Sequence, residues 1–196
     1  LFIATKVWTT GESAGIIQMK DSMQKMQSPV MDLMQVHNLL DLKTHLKTLR
    51  KWKEEGKIRY IGITHYTVSS HDELTRIIEK EPIDFVQLNY SIETRNAENR
   101  LLPTALDKEV AVLVNRPYEG GSLFRRTKGL ELPEWAAEYD INSWGQFFLK
   151  YILSNPAVTC VIPATSKEKH MRDNMQAGYG KLPDETTRKR MIEVIS

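Results

Sequence analysis

The chain has 196 residues, 41% apolar and 27% charged, and its 27 basic and 25 acidic side chains interleave to a net charge of +2. That balance excludes a strong field toward nucleic acid or an anionic membrane and suits a single domain over 1–196. The single cysteine, Cys160, excludes an internal disulfide and leads us to expect a reducing, cytoplasmic setting; no stretch reaches the ~18 apolar residues of a membrane helix.

The first segment, "LFIATKVWTT", predicts a strand over Leu1–Trp8 that ends beside a lysine, Lys6. Ile16, Met19, Met23 and Met26 follow at steps of three or four, one face of a helix. Met31–His37 predicts a second strand, and "LKTHLKTLRKWKEEGK" a helix with Leu42, Leu46, Leu49 and Trp52 on one stripe and Gly56 as its stop. Its cations interleave with Glu54 and Glu55, which reads as a solvated helix face and not a nucleic-acid patch. Ile58–His65, Phe85–Tyr90 and Val110–Pro117 predict further strands, separated by the helical patterns "SSHDELTRIIEKE" and "NAENRLLPTALDKE". Tyr118–Asp140 reads as a long polar connection with Gly120–Gly121. "SWGQFFLKYILSN" predicts a helix, and Val158–Thr165 a sixth strand with Cys160 buried and inert inside it. "SKEKHMRDNMQAG" predicts a helix capped by Ser166 and stopped by Gly178, and "LPDETTRKRMIEVIS" a terminal amphipathic helix. Five of the eight methionines lie between Met19 and Met34 and read as adaptable core filling.

Strand–helix alternation throughout argues for a parallel sheet of right-handed βαβ units. No G-x-G-x-x-G turn follows a strand, which disfavours a dinucleotide-binding doubly wound sheet. A (β/α)8 barrel takes eight strands in roughly 250 residues. With six strands and a start in mid-strand, the expectation is an N-terminally incomplete barrel whose first two βα units lie upstream of Leu1. Barrel chemistry sits at the C-terminal strand ends. Those positions here carry Lys6, His37, Thr64 with His65, Gln87 with Asn89, Asn115 with Arg116, and Thr165 with Ser166. A lone strand-end lysine usually reaches to solvent, and a lone histidine is usually a hydrogen-bonded core residue. Polar groups at every successive strand end converge on one rim.

"FIATKVW", "MDLMQVHN", "IRYIGITHYT", "DFVQLNYS", "VLVNRP" and "VIPATSKEKHMRDN" resemble, in order and spacing, the aldo/keto reductases. Those are (β/α)8-barrel enzymes that reduce aldehydes and ketones with a nicotinamide cofactor, usually NADPH, so NADP is expected here, with NAD possible. The resemblance implies that Lys6 and His37 are the catalytic lysine and histidine, and that Trp8 is an aromatic wall of the carbonyl pocket. It places Thr64, His65 and Gln87 on the nicotinamide carboxamide, and Asn115, Arg116 and Pro117 along the nicotinamide and pyrophosphate. Thr165, Ser166, His170, Asp173 and Asn174 fall in the turn and helix that take the adenosine end. The family's proton-donating tyrosine and its aspartate belong upstream of Leu1, so this chain alone is expected to have little or no turnover.

The match departs from pattern at three places. Ala164 and His170 stand where many members carry a lysine and an arginine for the adenosine 2′-phosphate, and Asn115 replaces an aromatic stacked on the nicotinamide. Lys167 or Arg172 are substitutes for the first pair; Arg125, Arg126 and Lys128 read as a solvated loop that could also reach a pyrophosphate. Two other readings compete. One is a nicotinamide-binding, non-catalytic reductase-like subunit. The other is a metal-dependent barrel hydrolase built on His37 and His65, which lacks an H-x-H pair and a carboxylate on the last strand. No metal is expected, and the substrate implied is a small carbonyl compound.

Overall fold

A computed structural model describes residues 1–195. It groups the chain into two compact units: Leu1–Leu88 with Thr104–Ala111, and Asn89–Pro103 with the residues from Val112 onward.

In the first unit, β1 (Ala4–Val7), β2 (Met31–His37), β3 (Ile58–Thr64) and β4 (Phe85–Asn89, of which Asn89 opens the second unit) pair in sequence order, all in parallel. Each neighbouring pair is joined by a helix: α1 (Glu12–Lys25), α2 (Leu42–Glu54) and α3 (His71–Lys80). A parallel ladder requires such crossovers, and strands covered by helices become continuous apolar runs. Met31–Val36 is accordingly buried at every position. The predicted α2 stripe holds, with Leu46, Leu49 and Trp52 buried. Gly56 takes φ +70°, the left-handed turn that ends the helix. Met19, Met31 and Met34 are fully buried, as adaptable core filling requires, whereas Met26 lies beyond the end of α1 and is 43% exposed. Two carboxylates pin the strand starts. Asp32 accepts from Ile3 N (2.7 Å) and Arg59 Nη1 (2.9 Å), and Asp84 from Ile61 N (2.8 Å) and Lys53 Nζ (2.7 Å).

In the second unit, β5 (Ala111–Asn115, entering from the first) pairs in parallel with β6 (Val158–Val161). The register slips between Val112 and Leu113, and the Thr159 hydroxyl takes up the Val112 N–H at 3.0 Å. Further helices are α4 (Leu101–Asp107, shared along the chain by both units), α5 (Ser122–Arg126), α6 (Trp144–Leu153), α7 (Glu168–Gln176) and α8 (Glu185–Ile195).

Several expectations are corrected. The long Tyr118–Asp140 connection holds α5 and 3-10 turns at Glu119–Gly121 and Glu134–Tyr139, elements the sequence reading did not predict. Ser166 does not cap α7; the N-cap is Lys167, whose N–H is met by the Thr165 hydroxyl at 3.2 Å. Cys160, expected to be buried inside the strand, is exposed, and among the described residues β6 pairs only with β5. The sixth strand stops at Val161, four residues earlier than predicted, as Pro163 cannot donate to a ladder. Among the described residues no helix is long and apolar enough to cross a membrane.

Candidate active site

In the first unit, parallel pairing brings the C-terminal ends of four strands to one edge. The register sets His37 beside Thr64, Thr64 beside Gln87, and Lys6 beside Gln35. Gln35 and His37, two apart on β2, share a face. Gln35 Nε2 donates to Gln87 Oε1 at 3.2 Å in a buried contact spanning β3. Gly62 allows this: a Cβ there would lie 2.9 Å from Gln35 Cγ and 3.1 Å from the Phe85 carbonyl oxygen. Gln35 was not singled out from sequence. Its signal was a polar residue two positions before His37 in an otherwise apolar strand.

Lys6 is half-buried and makes no ion pair among the described residues, and burial pushes its ammonium pKa below 10.5. His37 is held below its ordinary 6.5, first by burial and then by the positive charges of Lys6 and His65. It is therefore neutral at pH 7, able to donate one ring N–H. The Trp8 ring meets His37 edge-on at 5.1 Å between centroids. Directly after His37, Asn38 and Leu39 both adopt left-handed φ, 51° and 56°, a costly turn for Leu39 that fixes where the strand end points. His65 faces its own loop. Its Nδ1 accepts from Tyr66 N at 3.1 Å and Thr67 N at 3.3 Å, and Thr67 Oγ1 lies 3.1 Å away.

In the second unit, Asn115 ends β5, and its Oδ1 is buried without a hydrogen-bond partner. Arg116 follows at φ +53°, another left-handed non-glycine, before buried Pro117. These three line a cleft of about 610 Å³ with Tyr118, Phe124 and Ala164. Thr165, Ser166 and His170 lie along the chain from the end of β6 into α7, the last two exposed. Asp173 and Asn174 have partners already. Asp173 accepts from Ser143 Oγ and Gln146 Nε2, both at 2.6 Å, and Asn174 Oδ1 accepts from the Tyr118 hydroxyl at 2.7 Å. The Asp173 bonds tie α7 to the start of α6 and the Asn174 bond ties it to Tyr118, whose pKa is raised above 10 by burial and then by the Asp173 charge. Arg126 pairs with Glu93 at 3.3 Å, while Arg125 and Lys128 are solvent-facing. Among the described residues no three His, Cys, Asp or Glu side chains gather as metal ligands.

The residues from Leu1 to 190 match the model of the aldo/keto reductase family. This chain belongs to the aldo/keto reductase family. An uncharacterized oxidoreductase of Schizosaccharomyces pombe is 27% identical over 167 residues, 84% of this chain and 52% of that protein. The NADH-specific methylglyoxal reductase of Escherichia coli is 37% identical over 75 residues, 38% of this chain and 22% of that one. The chain thus spans about half the length of the first relative and less of the second. Among solved structures, an aldo/keto reductase of Klebsiella pneumoniae in complex with NADP and acetate matches at TM-score 0.78 and 19% identity, over 100% of this chain and 70% of that one. One from a deep-sea metagenome library matches at TM-score 0.80 and 17% identity, over 99% and 72%. The fold is therefore the α/β class of the aldo/keto reductase (β/α)8 barrel.

Proposed function

We propose that this chain carries the lysine and histidine of a carbonyl reductase that uses a nicotinamide cofactor. The observation that carries the reading is the first-unit cluster: Lys6 and neutral His37 beside an aromatic ring, with Thr64 and Gln87 in register on the next strands. The residues suit the cofactor. A hydroxyl and a carboxamide side by side complement a nicotinamide carboxamide, and the bare Asn115 Oδ1 offers a buried acceptor in the second-unit cleft, where Arg116 supplies a cation. A bound nicotinamide supplies the hydride.

The protein's own groups do the rest. Neutral His37 donates a hydrogen bond to the carbonyl oxygen and stabilises the charge that develops there. The Lys6 ammonium lowers the pKa of an adjoining proton donor by favouring its anion. In the family that donor is a tyrosine. The tyrosines Tyr90, Tyr151 and Tyr118 hydrogen-bond to Glu98 or Asn174. His65 contributes through its ring edge, since Nδ1 is engaged in its loop.

Family habit favours NADPH, while Ala164 and His170 offer no cation pair for a 2′-phosphate, so both cofactors belong in the test. Tryptophan fluorescence is titrated with NADPH and with NADH, followed by turnover of a small aldehyde panel. Saturable quenching by either supports the reading, and no quenching by both would remove it. Quenching without turnover would favour a nicotinamide-binding, non-catalytic subunit.

A further inference from the structure

The β1 ladder stops at Val7, opposite Val36. One residue later the backbone of Trp8 has no strand partner, yet both its polar groups are met by one side chain. Trp8 N–H donates to Gln18 Oε1 at 2.6 Å, and Gln18 Nε2 donates to Trp8 O at 3.3 Å. The Gln18 carboxamide thus imitates a neighbouring strand, extending the pairing by one step from a position on α1. The next residues are held from α2 and the turn before it. His45 Nε2 donates to Thr9 O at 2.7 Å, and Asp41 Oδ2 accepts from Gly11 N at 2.8 Å. Gly15 leaves the room His45 needs, since a Cβ there would meet His45 Cε1 at 2.5 Å.

The Trp8 ring itself is 58% exposed, so burial does not fix it. Its placement over His37 at 5.1 Å depends on where the backbone beneath it is held. We infer that Gln18 is a positioning residue: its carboxamide clasps the Trp8 backbone and so sets the indole against His37, which fixes one wall of the carbonyl pocket. Side-chain amides make both a donor and an acceptor available in one plane, which neither a carboxylate nor a hydrocarbon of equal length can do. Gln18 lies on α1, is only half-exposed, and bonds the Trp8 backbone. It acts through Trp8. Sequence alone did not reveal it, because a polar residue in a helix otherwise reads as solvated surface.

The inference rests on the reading of Trp8 as a pocket wall, but its test does not need turnover. Histidine Cε1–Hε1 spectra of the full chain are compared for wild type, Gln18→Met, Gln18→Glu, Trp8→Leu and Ile17→Ala. In wild type the indole should shift the His37 resonance by its ring current. Gln18→Met should move that resonance toward its Trp8→Leu position, and Gln18→Glu, which keeps the acceptor for Trp8 N, should move it part of the way. Ile17→Ala, on the exposed neighbouring position, should leave it in place. A His37 resonance unmoved in Gln18→Met, or moved equally by Ile17→Ala, overturns the clasp. If Gln18→Met does not fold, an unmoved resonance in Gln18→Glu does the same. Failure of the nicotinamide titration, with these shifts as expected, would remove the reductase reading and leave the clasp standing.

Discussion

Lys6 and His37 sit at adjoining strand ends, and the Lys6 charge makes a charge on His37 harder to hold. Burial lowers both pKa values, and the Lys6 charge lowers that of His37 further. Because the folded value of His37 lies below 6.5, the unfolded chain binds more protons between the two values. Stability contributed by His37 is therefore level above pH 6.5 and falls as pH drops from there to the folded value. Lys6→Met removes one cause of the depression. We expect the His37 pKa, followed by NMR titration, to rise toward 6.5, the acid loss of stability to shrink, and the melting temperature at neutral pH to increase. An unpaired half-buried cation costs stability. An unmoved His37 titration would contradict the coupling. Both residues were legible in sequence because a polar group closing an apolar strand is conspicuous. Gln35 and His45 were not, since what distinguishes them is a partner 52 and 36 residues away.

At the scale of elements, α6 shows how a charge can be buried inside an apolar helix. Gly145–Ile152 is buried throughout, including Lys150, whose Nζ donates to the carbonyl oxygens of Tyr179 (2.7 Å) and Lys181 (3.0 Å). The helix is started by Ser143, whose hydroxyl accepts from Gln146 N at 3.1 Å. Lys150→Met keeps the length of the side chain and strips the donors, leaving two carbonyls short of partners. We expect a loss of about 1–3 kcal/mol in urea unfolding; a loss under about 0.5 kcal/mol would mean that water replaces the ammonium. The sequence announced this helix by its apolar length but gave no hint of what its lysine reaches, because the acceptors lie in the chain leaving α7. Strand ends were the weakest part of the reading. Met31–His37 was met at both ends, whereas Val158–Thr165 shrank to Val158–Val161 once proline geometry and a bulge at Thr159 intervened.

At the scale of the whole molecule, alternation of strand and helix was the most legible feature, since period and chain order follow from local pattern and right-handed crossovers. The long-range cross-links were not. In the second unit, Arg188 on α8 reaches back 90 residues to Glu98 at 2.5 Å and to the Tyr90 hydroxyl at 2.6 Å, and its guanidinium lies 4.6 Å over the Tyr151 ring. Tyr151 also donates to Glu98 at 3.0 Å, and Tyr90 does so as well. Arg188→Leu leaves this carboxylate with two phenols and no cation. We expect a loss of about 2 kcal/mol, less than for a fully buried pair because the Glu98 side chain is 31% exposed. Adding Glu98→Gln should recover part of it; a double variant that loses the sum of both single losses would show that the pair is uncoupled. The first unit has a different long-range dependence. Its last piece, Thr104–Ala111, arrives after a stretch assigned to the second unit, and Ala111 N donates to Asp84 O at 2.9 Å. On the ribosome, the strand ends that carry Lys6, His37 and Gln87 are therefore all synthesised before the unit that holds them can be completed. That interval is when exposed apolar strands call most for a chaperone.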